Sequence, residues 1–183
     1  MVWIILAIVA VLVLWFIGTA NGLARKKMSA EAAFSDVDVY LTERFDVINS
    51  MVGTIKGHTG AENDILVNVI NARSKGLGAT TIDEKVDADN ELTSALNKLL
   101  ALTESYPDLK VDKSFVKLEE QIETINKDLV SARRYYNAAV KIYNTAIIVI
   151  PSNIVANIMG YRAMKMYEAT EEQRQNVVPD FEK

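Results

Sequence analysis

From Met1 to Ala24 the chain carries no charged side chain, and from Met1 to Ile17 it is almost wholly apolar. As a helix rising about 1.5 Å per residue, such a run reaches roughly 36 Å, enough to cross the hydrocarbon core of a bilayer. Trp3 and Trp15 stand near the two ends of the apolar stretch, where amphipathic rings favour the headgroup region, and Arg25-Lys26-Lys27 follow as a cationic stop. A cleaved secretory signal is the competing reading, because Gly18 and Ala20 supply small residues in a cleavage-like pattern. Against it, no Lys or Arg precedes the apolar core, and that core is longer than a signal peptide needs. Residues 1–24 are therefore expected to be a retained, single-pass transmembrane anchor. The three cations on its C-terminal flank place the rest of the chain on the cytoplasmic side of the cell membrane.

All 20 Lys+Arg and all 24 Asp+Glu fall between Arg25 and Lys183. About 155 residues remain beyond the anchor, a length at which a single domain can sustain a core. The net charge of −4 lacks the concentrated basic face that nucleic acid requires. Absence of Cys excludes a lipoprotein anchor, disulfides and thiolate chemistry.

In the soluble part the apolar residues repeat at helical spacing. Phe34, Val37, Leu41, Phe45, Ile48, Met51 or Val52, and Ile55 form one stripe. This first helix is expected to begin near Ser29, a good N-cap, and to end at Gly57-His58-Thr59-Gly60. A second runs from Ala61 to Ser74 with Ile65, Leu66, Val69 and Ala72 inward, and Lys75 to Thr80, containing Gly76 and Gly78, is expected as a loop. Thr81 and Glu84 have the spacing of a capping box and open a third helix. It continues through Val86, Leu92, Leu96, Leu99 and Leu102 to Tyr106-Pro107-Asp108. The fourth, Asp112 to Val149, carries Phe115, Leu118, Ile122, Ile125, Leu129, Ala132, Tyr136, Ala139 and Tyr143 in coiled-coil-like steps of three and four. Ser152 is expected to cap a short helix to Met159, stopped by Gly160, and Tyr161 to Lys183 reads as a tail. With no strand-like alternation, the expected architecture is all-α: a transmembrane helix followed by an antiparallel four-helix bundle with long helices.

The residues that carry a resemblance run along nearly the whole chain. They include Asp38-Val39-Tyr40-Leu41, Arg44, Asp46, Ile48 and Lys56-Gly57, then Glu62, Leu66, Val69, Ala72 and Arg73. More specific are Glu104, Tyr106-Pro107-Asp108-Leu109-Lys110, Phe115, Leu118, Ala132-Arg133-Arg134-Tyr135-Tyr136-Asn137, Val140, Tyr143-Asn144, Pro151 and Gly160-Tyr161. In these the chain resembles the LemA proteins. It departs from them at Asn49-Ser50, His58 and Ile125-Asn126. The resemblance implies an anchor at 1–24, a LemA-like helical bundle over 28–160 and a C-terminal tail over 161–183, and it implies no enzymatic activity.

Chemistry has few candidates. A di-iron site needs Glu-x-x-His on two helices, but the chain has one His, and Ile55 stands three residues before it. Zinc sites fail on the same count. Glu119-Glu120, Glu171-Glu172 and Asp87 with Asp89 read as solvated surface, and His58, among glycines at a helix end, reads as a turn residue. Neither GxxxxGK[ST] nor GxGxxG occurs. No catalytic residue, metal, cofactor or small-molecule substrate is therefore expected.

Two polar features remain. Arg133, Asn137 and Asn144 lie on one stripe beside the seam of the fourth helix, and Arg44 interrupts the apolar stripe of the first. Their expected role is interhelical hydrogen bonding, because buried amides and guanidinium groups need partners. The sharper alternative is a groove for a protein partner. The function expected from the whole is a non-enzymatic scaffold or adaptor binding a protein near the membrane, with a self-assembling structural protein that coats or shapes the membrane as the alternative.

Overall fold

The first helix, α1, is unbroken from Val2 to Thr59. In this computed structural model residues 1–59 and 64–168 are described, with the side chains of His58 and Thr59 left out. The backbone of His58, expected as a turn residue, is in the last turn of α1, whereas the ends at Gly60 and Ala61, Glu62, and the tail from residue 169, with Glu171-Glu172, lie outside the described residues. The start expected at Ser29 does not exist, because the helix passes straight through it. The residues on either side, Ala24 to Ala33, are mostly Ala, Arg, Lys, Met and Glu, which rank high in helix propensity. Lys27 and Glu31 pair one turn apart at 3.5 Å. With no Gly or Pro between Gly22 and Gly53, nothing stops the propagation that the apolar run begins.

Five further helices follow: α2 (Asp64–Gly78), α3 (Ile82–Thr103), α4 (Pro107–Lys110), α5 (Lys113–Ile148) and α6 (Ser152–Ile158). Among the described residues there is no strand. The capping box of α3 forms as expected: Thr81 Oγ1 accepts from the Glu84 N–H, and the Glu84 carboxylate accepts from the Thr81 N–H. Pro107 occupies the first position of α4, where its missing N–H costs nothing. Asp112 caps α5, its Oδ1 accepting from Ser114 N–H at 2.8 Å and Phe115 N–H at 2.9 Å.

Three local expectations are corrected. The loop expected at Lys75-Gly76-Leu77-Gly78 is the last turn of α2, for a reason that lies in packing: a Cβ on Gly76 would stand 2.5 Å from the Phe45 ring. Glycine is there to admit an aromatic side chain, and its helix remains intact. Ser152 is not a cap. It is the first residue of α6, and its hydroxyl donates back to the Ala146 and Val149 carbonyls at 2.6 and 3.1 Å. The Ile150–Pro151 bond before it is cis. Gly160 does end the short helix, in the left-handed region at φ 70°. Third, residues 161–168, expected as the beginning of a tail, are a defined extended segment held by α5, as set out below.

The chain forms two compact units. The first joins Met1–Tyr40 to Lys127–Lys165, so α1 and the second half of α5 run side by side. Phe34 meets Tyr136 edge to face at 5.3 Å, and further along Leu23 packs with Tyr143, Ile147, Val155 and Ala156. As numbers rise on α1 they fall on α5, so within this unit the two helices are antiparallel. The second unit comprises Leu41–Asn126 and the described residues from Met166 onward. Its core draws Leu41, Ile48, Met51 and Ile55 from α1, Leu66 and Val69 from α2, Leu92, Leu96 and Leu99 from α3, and Phe115 and Ile122 from α5, all buried. The stripes expected on four helices thus face inward.

Candidate functional site

The N-terminal third of α1 is long and apolar enough to cross a membrane, and nothing covers it: every residue from Met1 to Trp15 is exposed. Trp3 is 83 % exposed at the start of the run and Trp15 is 38 % exposed towards its end. The cationic trio follows with Arg25 exposed and Lys26 and Lys27 half-buried. Contact with the rest of the first unit begins at Phe16 and Ala20, which pack against the cluster around Leu23 and Tyr143.

Of the expected polar stripe, Asn144 binds backbone through both ends of its side-chain amide. Its Nδ2 donates to the Met164 carbonyl at 2.8 Å and its Oδ1 accepts from the Met164 N–H at 2.9 Å, so the side-chain amide pairs with backbone as a neighbouring strand would. Tyr143 Oη donates to the Arg162 carbonyl at 2.8 Å and Tyr136 Oη to the Lys165 carbonyl at 2.7 Å. Three side chains on one face of α5 therefore tie residues 162–165 along the helix. Asn144 was expected to reach another helix, and its partner is this extended segment. Arg133 and Asn137 lie half-buried on the same helix.

Arg44 belongs to the second unit and is only 2 % exposed. Its Nη1 donates to Asp89 Oδ1 at 2.8 Å and to Thr93 Oγ1 at 3.0 Å. The Thr93 hydroxyl in turn donates to the Asp89 carbonyl at 2.8 Å. Asp89, read from sequence as solvated surface, is fully buried, which corrects that expectation. The signal was present: Asp89 lies three residues from both Val86 and Leu92, on the buried stripe of α3. Lys75 and Glu91 form the corresponding exposed pair, and the carboxylate holds the lysine ammonium above its ordinary value.

One concave surface has the chemistry of a recognition site. It is a shallow cleft of about 430 Å³ on the first unit, lined by Asp36, Val39 and Tyr40 of α1 and by Asp128, Ser131, Ala132 and Tyr135 of α5. Val39 and Tyr135 are each 64 % exposed, so the cleft offers an aromatic ring and an aliphatic side chain between two carboxylates. Among the described residues no three His, Cys, Asp or Glu side chains gather closely enough to hold a metal ion.

A family model described as the LemA family matches residues 33–181. A protein called Protein LemA from Metamycoplasma hominis is 25 % identical over 164 residues, covering 88 % of this chain and 74 % of that protein.

Proposed function

The chain belongs to the LemA family, and from that premise we propose that it is a membrane-anchored, non-enzymatic adaptor that holds a protein partner close to the bilayer. The observation that carries this reading is the acidic, aromatic cleft formed by α1 and α5, on the same unbroken helix as the apolar run. Asp36 and Asp128 give it a negative rim, and Tyr40 and Tyr135 supply the amphipathic contact area that anchors protein interfaces. The complementary partner is a basic segment with an apolar face. Charges at such a rim steer encounter and select partners, so association is expected to weaken as salt screens them. The apolar run of α1 is the single membrane span, with Arg25, Lys26 and Lys27 holding the cleft on the cytoplasmic side of the cell membrane. No step of chemistry is assigned.

The test is a photocrosslinking side chain placed at Tyr135 in the full-length chain in native membranes. A crosslink to a different protein, reduced when Asp36 and Asp128 are both changed to Lys, supports the adaptor. Crosslinks only to a second copy would favour lateral self-assembly. No crosslink above that at exposed Val111 would overturn both readings.

A further inference from the structure

The chain has a second charge-free run, Ile142 to Tyr161, bounded by Lys141 and Arg162. It comprises the last turns of α5, the turn at Pro151, and α6. One side of it is used: Ile147, Val155 and Ala156 pack with Leu23, against Phe16 and Ala20 of α1. The other side is apolar and open, with Ile148, Ile150, Ile154 and Ile158 exposed at 69, 83, 54 and 67 %. A soluble tip has no reason to present large aliphatic side chains both inward and outward.

We infer that this α5–α6 tip is seated in the bilayer interface beside α1, as a second, non-spanning membrane attachment. The inference rests on the reading of α1 as a membrane span. Three observations in the first unit carry it. The first is depth: a span beginning at Val2 and crossing the hydrocarbon needs about 20 residues, so Phe16 and Ala20, against which the tip packs, belong to its last turns. The second is the boundary of charge. On α1 charges begin at Arg25, and on antiparallel α5 they end at Lys141, while Leu23 and Tyr143 pack together between them. One plane therefore separates charged from uncharged residues on both helices. Tyr143 and Tyr161, edge to face at 6.3 Å, stand at that plane, the depth at which amphipathic rings concentrate. From Lys141 to Ile148 the helix continues roughly 10 Å to the membrane side of it.

The third is backbone satisfaction, the condition for placing a turn against lipid. Pro151 has no N–H to satisfy. Asn153 N–H donates to the Val149 carbonyl at 2.9 Å and Ile154 N–H to the Pro151 carbonyl at 3.3 Å. The Ser152 hydroxyl covers the Ala146 and Val149 carbonyls. These bonds satisfy part of the turn from within the protein, while Asn153 Oδ1 is buried with no hydrogen-bond partner among the described residues.

Because the chain has no Cys, single-cysteine variants carry one fluorophore each without background. The full-length chain bearing Ile150→Cys, Ile158→Cys, Leu12→Cys or Val39→Cys is labelled with an environment-sensitive dye. Each is reconstituted in phosphatidylcholine–phosphatidylglycerol vesicles containing lipids spin-labelled high on the acyl chain. Leu12 reports the span; Val39, exposed and about 28 Å further along α1 than Ala20, reports water. Blue-shifted emission and strong quenching at Ile150 and Ile158, as at Leu12 and unlike Val39, are the expected result. Tip labels that behave like Val39 while Leu12 is quenched would overturn the inference and leave the anchor standing. An unquenched label at Leu12 would remove the anchor, and the inference with it.

Discussion

A guanidinium as buried as that of Arg44 survives in an apolar core because Asp89 and Thr93 accept hydrogen bonds from it. Taking either ion from water is costly, and removing one partner strands the other, at about 3–5 kcal/mol. Asp89→Ala is expected to destabilise the chain on that scale, whereas Glu91→Ala, which strips the exposed Lys75 of its partner, should change stability far less, because solvent screens an exposed pair. Denaturant unfolding of the two variants in detergent measures the contrast, and equal effects would deny the buried pair its role. A second residue-scale expectation concerns acid. Hydrogen bonds from Thr81 and Thr80 hold the Glu84 carboxyl down from the ordinary 4.5 to about 2. A depressed carboxyl binds its proton more tightly in the unfolded chain, so its contribution is complete above pH 4.5 and is lost as the pH falls towards about 2. Across that window the stability of Glu84→Gln should fall less steeply than that of the unaltered chain; parallel curves would show that the capping carboxylate does not matter.

Glycine has opposite meanings within one turn of α2. At Gly76 a methyl group would meet the ring of Phe45, while at Gly78 nothing lies within 4 Å. Gly76→Ala should therefore lose stability by roughly 1–3 kcal/mol through overpacking, despite the better helix propensity of alanine. Gly78→Ala should be neutral or stabilising. Thermal unfolding decides, and a stabilising Gly76→Ala would mean the ring moves freely. This pair also shows what the sequence could express. Apolar periodicity placed the buried faces of α1, α3 and α5 correctly, because a stripe such as Phe34 to Ile55 depends on spacing alone. Two glycines separated by a single residue look like a loop until the partner ring across the interface is known. The N-cap at Ser29 failed for a related reason: a capping residue acts only where a helix must start, and the one beginning at Val2 had no cause to stop. Residues 161–168 were illegible because their order derives from Tyr136, Tyr143 and Asn144, whose hydroxyl and amide groups read on paper as seam or stripe. Asp89 was legible and was misread, its chemistry outweighing its register.

For the molecule as a whole, orientation should depend on the cations beside the apolar run. Changing Arg25, Lys26 and Lys27 together to Glu is expected to weaken or invert the topology, seen as altered protease accessibility of the helices beyond the membrane. Unchanged accessibility would refute this account. Continuity of α1 has one further consequence. Most anchored domains hang from a loop that lets the domain ignore how its anchor leans, and α1 has no such joint between Ala20 and Tyr40. Transmembrane helices lean to match their hydrophobic length to bilayer thickness, by about 20° on average. Over the roughly 28 Å from Ala20 to Val39, a lean of that size carries the far end of the rod sideways by about 10 Å. Under the proposed reading of the apolar run as a membrane span, bilayer thickness becomes a mechanical input, and the position of the cleft above the lipid its output.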